Sequence, residues 1–389
     1  MNLNIFGWRN ISHSFSLVNQ HQIVALLKHP LLKIFHEDAP FLSNNWSSEN
    51  CGAGFSASQQ SSIDNIPPCL ETTRDWTYEI CYPFFSYNRR SDEPVAHFVV
   101  ANYGVTKRDF FRHADFSELR FDDDDLIITP TNWSREKICQ YGFPEERVRV
   151  VHHGVDLQAF YPLSSEERSA TRKTLGISSD QFCFLNVGAL SANKGLDILI
   201  KAFAKVASKF PNARLLIKDQ NYLYGAKAQS VIQSIFNTMT TAEVELVTTK
   251  SISLSSNLTV QQLRLLYGAC DCYISPYRAE GFNLPVLEAM GCGSSILVTD
   301  GGATDDFVFS DDSKFSSKKI PNSELSRLGV TDERLEIDSY YLEPELDSVI
   351  SRMFETINRA TSEPTQYLQL PEFTWDKVSH DLMSNLSRP

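Results

Sequence analysis

Apolar and polar positions in the second half of the chain separate strands from helices. Phe182-Cys183-Phe184-Leu185-Asn186-Val187 is an apolar run closed by Gly188, the pattern of a buried strand. Leu196, Leu199, Phe203, Val206 and Phe210 then recur at spacings of three and four, one face of a helix that Pro211-Asn212 ends. The same reading predicts strands at 214–217, 244–247, 272–275 and 296–298, and helices near 227–238, at 260–267 and from Pro285. Five strands alternating with helices predict a parallel sheet covered on both faces, with its ligand at the carboxyl ends of the strands.

The first half is less regular but similar in kind. Strands are expected at 3–6, 95–100, 126–129 and 148–151, and a helix at about 16–28. Residues 43–68 are rich in Ser, Asn and Gln without a period, so this stretch is either disordered or functional. Gly154 to Pro162 looks like a hinge, and the polar stretch 311–340 reads as a surface excursion.

Composition narrows the class. A chain of 389 residues suggests two domains, and 42% hydrophobic with 22% charged residues fits a globular protein. A net charge of −12 argues against nucleic acid as a partner, because phosphate-backbone binding needs a basic footprint. The apolar run 2–6 gives way to Asn10, Ser12 and His13 where a signal peptide would stay apolar, and no stretch approaches a membrane span. Eight cysteines include no C-x-x-C pair, and Cys270 and Cys272 read as buried thiols. We therefore expect a cytoplasmic protein, compatible with peripheral contact at the inner membrane face.

The chemistry concentrates in two loops. In Arg278-Ala279-Glu280-Gly281-Phe282-Asn283-Leu284-Pro285-Val286-Leu287-Glu288-Ala289-Met290-Gly291 a strand gives way to a helix. Pro285 suits the first helical position, so the 281–284 backbone offers free N–H groups at the positive end of a helix dipole. Glu280 in the loop and Glu288, placed in the first turn, flank that anion site. The pair suits sugar hydroxyls at either end of a diphosphate, although Glu288 alone also fits a plain first-turn acid. In Asn186-Val187-Gly188-Ala189-Leu190-Ser191-Ala192-Asn193-Lys194-Gly195, Lys194 stands just ahead of a helix, where it can neutralise a leaving phosphate or simply face solvent.

These two motifs, with Pro130-Thr131-Asn132-Trp133-Ser134, Val150-Val151-His152-His153-Gly154-Val155-Asp156 and Pro162, resemble the retaining glycosyltransferases of family four. The resemblance runs from about residue 125 to 305. It implies the α/β GT-B fold, two Rossmann-like domains facing across a cleft. Glu280 and Glu288 match the family's E-x7-E pattern, which implies that Glu280 lies by the donor sugar and Glu288 binds the ribose. By the same resemblance Lys194 contacts the diphosphate, and Gly281, Phe282, Asn283 and Leu284 supply backbone contacts. Many members carry an arginine where this chain has Ala189; Lys218 is a candidate replacement. The chain is also similar to glucosyltransferases of cyanobacterial envelope-polysaccharide synthesis, including across Trp8 to Ser14, which suggests UDP-glucose as donor.

The fold implied by the resemblance puts an acceptor-binding domain at 1–155, a hinge at 156–165 and the donor domain at 166–372. A C-terminal helix at about 373–389 is expected to pack back on the first domain. The turn after the first strand then offers Gly7, Asn10, His13 and Ser14 to the acceptor side of the cleft. His97, His113 and His153, and the aromatic run Tyr82, Phe84, Phe85 and Tyr87, are further candidates, more readily explained as structural. Asp122 to Asp125 reads as a solvated acidic turn, and the resemblance implies neither a metal nor a cofactor, the nucleotide-sugar being a substrate. Cys51-Gly52-Ala53-Gly54-Phe55-Ser56-Ala57 fits a dinucleotide fingerprint on paper, but no strand precedes it. The expected reaction moves a hexose onto a saccharide or lipid-linked saccharide acceptor. Alternatives are a nucleotide-sugar epimerase or phosphorylase on the same fold, or a non-catalytic sugar-nucleotide-binding partner.

Overall fold

The computed structural model describes the chain except residues 12, 44–45, 47–53, 70–73, 91, 220–227, 322–339, 361–369 and 388–389. It forms two compact units, Met1–Gly154 with the chain end from Pro371, and Val155–Val330 with Tyr340–Leu370.

The first unit holds a six-stranded, all-parallel sheet in the order β2-β1-β3-β4-β5-β6. Its strands are β1 (Asn2–Gly7), β2 (Lys33–Asp38), β3 (Trp76–Ile80), β4 (Val95–Phe98), β5 (Leu126–Thr129) and β6 (Val148–Val150). Its helices are α1 (Ser14–Leu26), α2 (Ala57–Asp64) and α3 (Asn132–Tyr141). The last helix of the chain, α11 (Trp375–Leu386), packs on α1: the Trp375 ring stacks on His21 at 4.7 Å, and Ser379 Oγ lies 3.1 Å from His29 Nε2.

The second unit holds another six-stranded parallel sheet, in the order β12-β11-β10-β7-β8-β9. In chain order α4 (Ser165–Thr174), β7 (Phe182–Gly188), α5 (Leu196–Lys209), β8 (Ala213–Asp219), α6 (Ala228–Phe236), α7 (Thr241–Lys250) and β9 (Ser251–Leu254) come first. Then follow α8 (Val260–Ala269), β10 (Cys272–Ser275), α9 (Leu284–Gly291), β11 (Ser295–Thr299), β12 (Lys314–Phe315), the antiparallel ribbon β13 (Ser317–Pro321) and β14 (Tyr340–Pro344), and α10 (Leu346–Ala360). The predicted helical face of α5 is the face it buries: Leu199, Phe203 and Val206 pack on Phe184, Leu215 and Ile217 of the sheet. Here the strand order reverses between β7 and β10, which opens a crevice at their carboxyl ends.

Several expectations need correction. Residues 244–247 are helical, not a strand. Thr240 and Glu243 form a reciprocal capping box that starts α7, and the strand begins only at Ser251. Strands β2, β3 and β12 were not anticipated. Within 43–68, residues 44–45 and 47–53 lie outside the described residues, but Ser56 and Gln59 cap a helix at Ala57–Asp64. The fingerprint residues Cys51 to Ala53 also lie outside. The 311–340 stretch is not a plain excursion, since its start adds β12 to the sheet and its ends pair as the ribbon; residues 322–339 lie outside the described residues. Cys270 and Cys272 are buried free thiols, as read.

Candidate active site

The two loops singled out in the sequence follow the two strands that flank the crevice. Loop 188–195 leaves β7 and leads into α5; loop 276–283 leaves β10 and leads into α9. Hydrogen bonds lock them together: Asn193 O accepts from Arg278 N at 2.7 Å and Ala279 N at 3.2 Å, and the Asn193 side chain donates from Nδ2 to Ala279 O at 2.9 Å. Gly195 makes this approach possible. Its φ is +67°, and a Cβ there would lie 1.8 Å from Pro276 O. Gly195→Ala is expected to cost at least about 2 kcal/mol, read as a lower denaturation midpoint.

Lys194 and Glu280 meet across the two loops as an ion pair, Nζ donating to Oε1. The Glu280 side chain is 8% exposed and that of Lys194 26%, so the ammonium is the more reachable partner. After Glu280 come Gly281, Phe282 and Asn283, which lead into α9. Asn283 caps that helix in a left-handed conformation, φ 76°, held by its Nδ2 bond to Ser275 Oγ at 3.1 Å. Two helices therefore begin near Lys194 at the strand-order reversal, with their positive dipole ends on the side of the two loops.

The helix starts at Leu284, so Pro285 is its second residue. Glu288 lies in the second turn, not the first, and its carboxylate does not serve the helix dipole. Oε2 of Glu288 accepts a 2.7 Å bond from the Tyr267 hydroxyl. Burial raises the Glu288 carboxyl to about 7, against a smaller opposing effect of the Tyr267 bond. From its ordinary 4.5 up to about 7, the folded state then binds more protons than the unfolded one, so this group's contribution to stability falls as pH rises. Glu288→Gln is expected to exceed the parent protein in stability by about 1–3 kcal/mol at pH 8 and to match it near pH 4, checked by denaturant melts.

Arg278 braces the whole arrangement, a role the sequence did not reveal. Its Nη1 donates to Ala192 O at 2.9 Å and to Asp197 Oδ1 at 2.8 Å; Nη2 reaches Asp197 Oδ2 at 2.9 Å and Glu343 Oε1 at 2.8 Å; Nε bonds Glu343 Oε2. Loop 188–195, α5 and β14 are thereby tied to loop 276–283. Lys218 sits at the end of β8 beside Val187 in the sheet register. It is buried, its ammonium donates to Asp219 O, and burial lowers its pKa. Ala189 is half-buried in the first loop.

In the first unit, Gly7 ends β1 and is set by packing, since a Cβ would come 2.6 Å from Ile80 O. Asn10 is left-handed, φ 60°; its Oδ1 accepts from Gln60 Nε2 at 2.8 Å and its Nδ2 donates to Asp64 Oδ1 at 3.2 Å. His13 caps α1, Nδ1 accepting from Phe15 N at 3.2 Å, with Trp8 and Trp46 against its ring. Burial lowers it to about 4, so it is neutral at pH 7. Ser14 is exposed at the start of α1. A surface depression of about 400 Å³ adjoins this turn, lined by Arg9, Asn10, Asp38, Ala39, Pro40 and Phe41.

Of the other candidates, His113 is exposed at a left-handed φ of 55°. His97 pairs with Glu79 at 2.5 Å and stacks on Phe85 at 3.7 Å, while His153 is buried against Phe98 and Trp375. Phe84 is core, and the Tyr82 and Tyr87 hydroxyls bond Asp109 and Glu93. Within the acidic run, Asp122 and Asp125 both pair with Arg89. No described helix is long and apolar enough to cross a membrane.

Comparison with known proteins places these features. Residues 167–324 match the family model described as glycosyl transferases group 1. An uncharacterized glycosyltransferase of Methanocaldococcus jannaschii is 27% identical over 188 residues, 45% of this chain and 42% of that protein. Mannosylfructose-phosphate synthase of Agrobacterium fabrum is 26% identical over 176 residues, 45% of this chain and 37% of that protein. The chain thus aligns with about two-fifths of the length of these relatives. The structure of Anabaena HepE with UDP and glucose is similar at a TM-score of 0.68 and 15% identity, with all of both chains covered. The chain has the α/β two-domain fold of the GT-B glycosyltransferases, and its residues 167–324 carry the group 1 glycosyltransferase pattern.

Proposed function

We propose that the protein is a retaining glycosyltransferase that moves glucose from UDP-glucose onto a saccharide or lipid-linked saccharide acceptor in polysaccharide biosynthesis. The observation that carries the reading is the Lys194–Glu280 pair, held between two locked loops at the strand-order reversal of the second unit. The group 1 match covers these loops, and HepE, a protein of the same fold, was solved with UDP and glucose. The diphosphate lies on the 281–284 amides with its charge met by Lys194, Glu280 faces the donor sugar, and Glu288 takes the ribose. The bond from the sugar's C1 to the phosphate oxygen breaks as the acceptor oxygen bonds C1 from the same face. The acceptor's proton passes to the leaving phosphate. Ala189, and Lys218 in place of the missing arginine, complete the phosphate end of the site. Asn10, His13 and Ser14 serve the acceptor.

The test is nucleoside diphosphate release from UDP-, GDP- and ADP-sugars by the full chain, with Lys194→Ala and Glu280→Ala as controls. Release from UDP-glucose, lost in both variants, is the expected result. Release from another donor would replace UDP-glucose, and no binding of any donor would overturn the site. Dependence on free phosphate would instead indicate a phosphorylase.

A further inference from the structure

Resting on that reading, we infer that Tyr267 is a positioning residue for the donor nucleotide: its hydroxyl holds one oxygen of Glu288 so that the rest of the carboxylate is presented to the two ribose hydroxyls. The geometry is specific. Tyr267 lies on α8 and Glu288 on α9, so the contact joins two helices packed side by side on the same sheet face. The ring is fully buried, against Phe160 and Tyr273, and its backbone carbonyl accepts from Ser294 Oγ at 3.1 Å. Packing fixes the place of the ring and so of its hydroxyl oxygen, which lies 2.7 Å from Glu288 Oε2. Unaided, a carboxylate on a helix turns about its last torsion at little cost, because that rotor is broad. The Tyr267 bond removes this freedom and leaves Oε1 for a diol.

Tyr267 also supports the charge. A donor hydroxyl favours the ionised carboxylate, in opposition to the burial that raises Glu288. The groups that face Glu288 give it no other positive help. Tyr267 from α8, Tyr273 from β10 and Cys292 after α9 are all neutral near pH 7, their own ionisation opposed by burial and by the Glu288 charge. Tyr273 also senses the Glu280 charge, and Arg264 acts on the Cys292 side. An ionised Glu288 accepts from both ribose hydroxyls; a protonated one loses part of that capacity.

The test titrates UDP and 2′,3′-dideoxy-UDP into the full chain between pH 6 and 9. The phosphate ionisation common to both ligands cancels in the comparison. For the parent protein, the advantage of UDP over the dideoxy analogue is expected to grow with pH through a midpoint near 7. Tyr267→Phe keeps the ring and removes the hydroxyl. It is expected to move that midpoint up by about one pH unit, with UDP binding about fivefold weaker at pH 7 and dideoxy-UDP binding unchanged. Glu288→Gln should bind UDP weakly, with no pH-dependent advantage over the analogue. An unmoved midpoint in Tyr267→Phe, or an equal loss for both ligands, would make Tyr267 a packing residue and overturn the inference. UDP binding unaffected by Glu288→Gln would remove Glu288 from the ribose and overturn it too, while Lys194→Ala still reports on the donor site. Absence of UDP binding by the parent protein would overturn the donor reading itself.

Discussion

Replacing Lys194 with alanine is expected to lower kcat by about 10²–10³, the scale seen when one preorganised group is removed from developing charge. UDP binding should weaken by about 10–100-fold, the worth of a charge-assisted hydrogen bond. The two losses share one cause. The Lys194 ammonium stands just ahead of α5 and is paired with Glu280, and its removal leaves the Glu280 carboxylate, 8% exposed, without its partner. The variant's site is then more negative where a diphosphate must bind. Glu280→Gln should separate the effects. Turnover falls, because the group beside the sugar has changed, yet UDP binds at least as tightly as in the parent protein, because the carboxylate no longer competes with the diphosphate for Lys194. Titration of UDP into both variants with single-turnover kinetics checks this. Weaker UDP binding by Glu280→Gln would show that the ion pair organises the site and does not compete with the ligand.

Arg278→Ala is expected to destabilise the second unit by about 3–5 kcal/mol, in the range for breaking a buried pair by removing one partner. Arg278 makes five hydrogen bonds, one for every N–H of its guanidinium. Burial works against its charge, but Asp197 and Glu343 raise its pKa further still. Its loss frees the contact between the two loops, so donor binding should fall together with stability. Arg278→Lys should recover little, since a point charge cannot reach both carboxylates and Ala192 O at once. Asp197 adds a pH signature. Burial would raise its carboxyl, yet the Arg278 bonds hold it below 3.8. Its contribution is therefore full above about pH 4 and fades as pH falls through the lower folded value. Chemical denaturation at pH 7 and pH 3 measures both effects, and the gap between the parent protein and Asp197→Asn should narrow at pH 3.

Most of the second sheet was legible in the sequence because its strands are continuous apolar runs and α5 carries a strong three-and-four spacing. Residues 244–247 misled for a definable reason. Val244 and Val247, three apart, share a helix face; their β-branching suggested a strand, and the capping pair Thr240 and Glu243 outweighed it. Strands β2 and β3 escaped because polar residues interrupt them; Lys33, His36, Glu37 and Asp38 make β2 read as a loop.

The sequence by itself determined the two loops and their place between strand and helix, and it singled out Lys194, Glu280 and Glu288 as candidates for the proposed chemistry, because their place in those loops is local. Only the tertiary structure decided who their partners are. Lys194 and Glu280 are 86 residues apart, Arg278 and Glu343 are 65 apart, and Tyr267 and Glu288 are joined across two helices. Such pairings come from the strand order, which brings β7 beside β10 and lays α8 along α9. No local propensity encodes that order. It is set by burying both faces of one sheet at once, so the brace at Arg278 and the hydroxyl of Tyr267 acquire their roles only when the chain has closed.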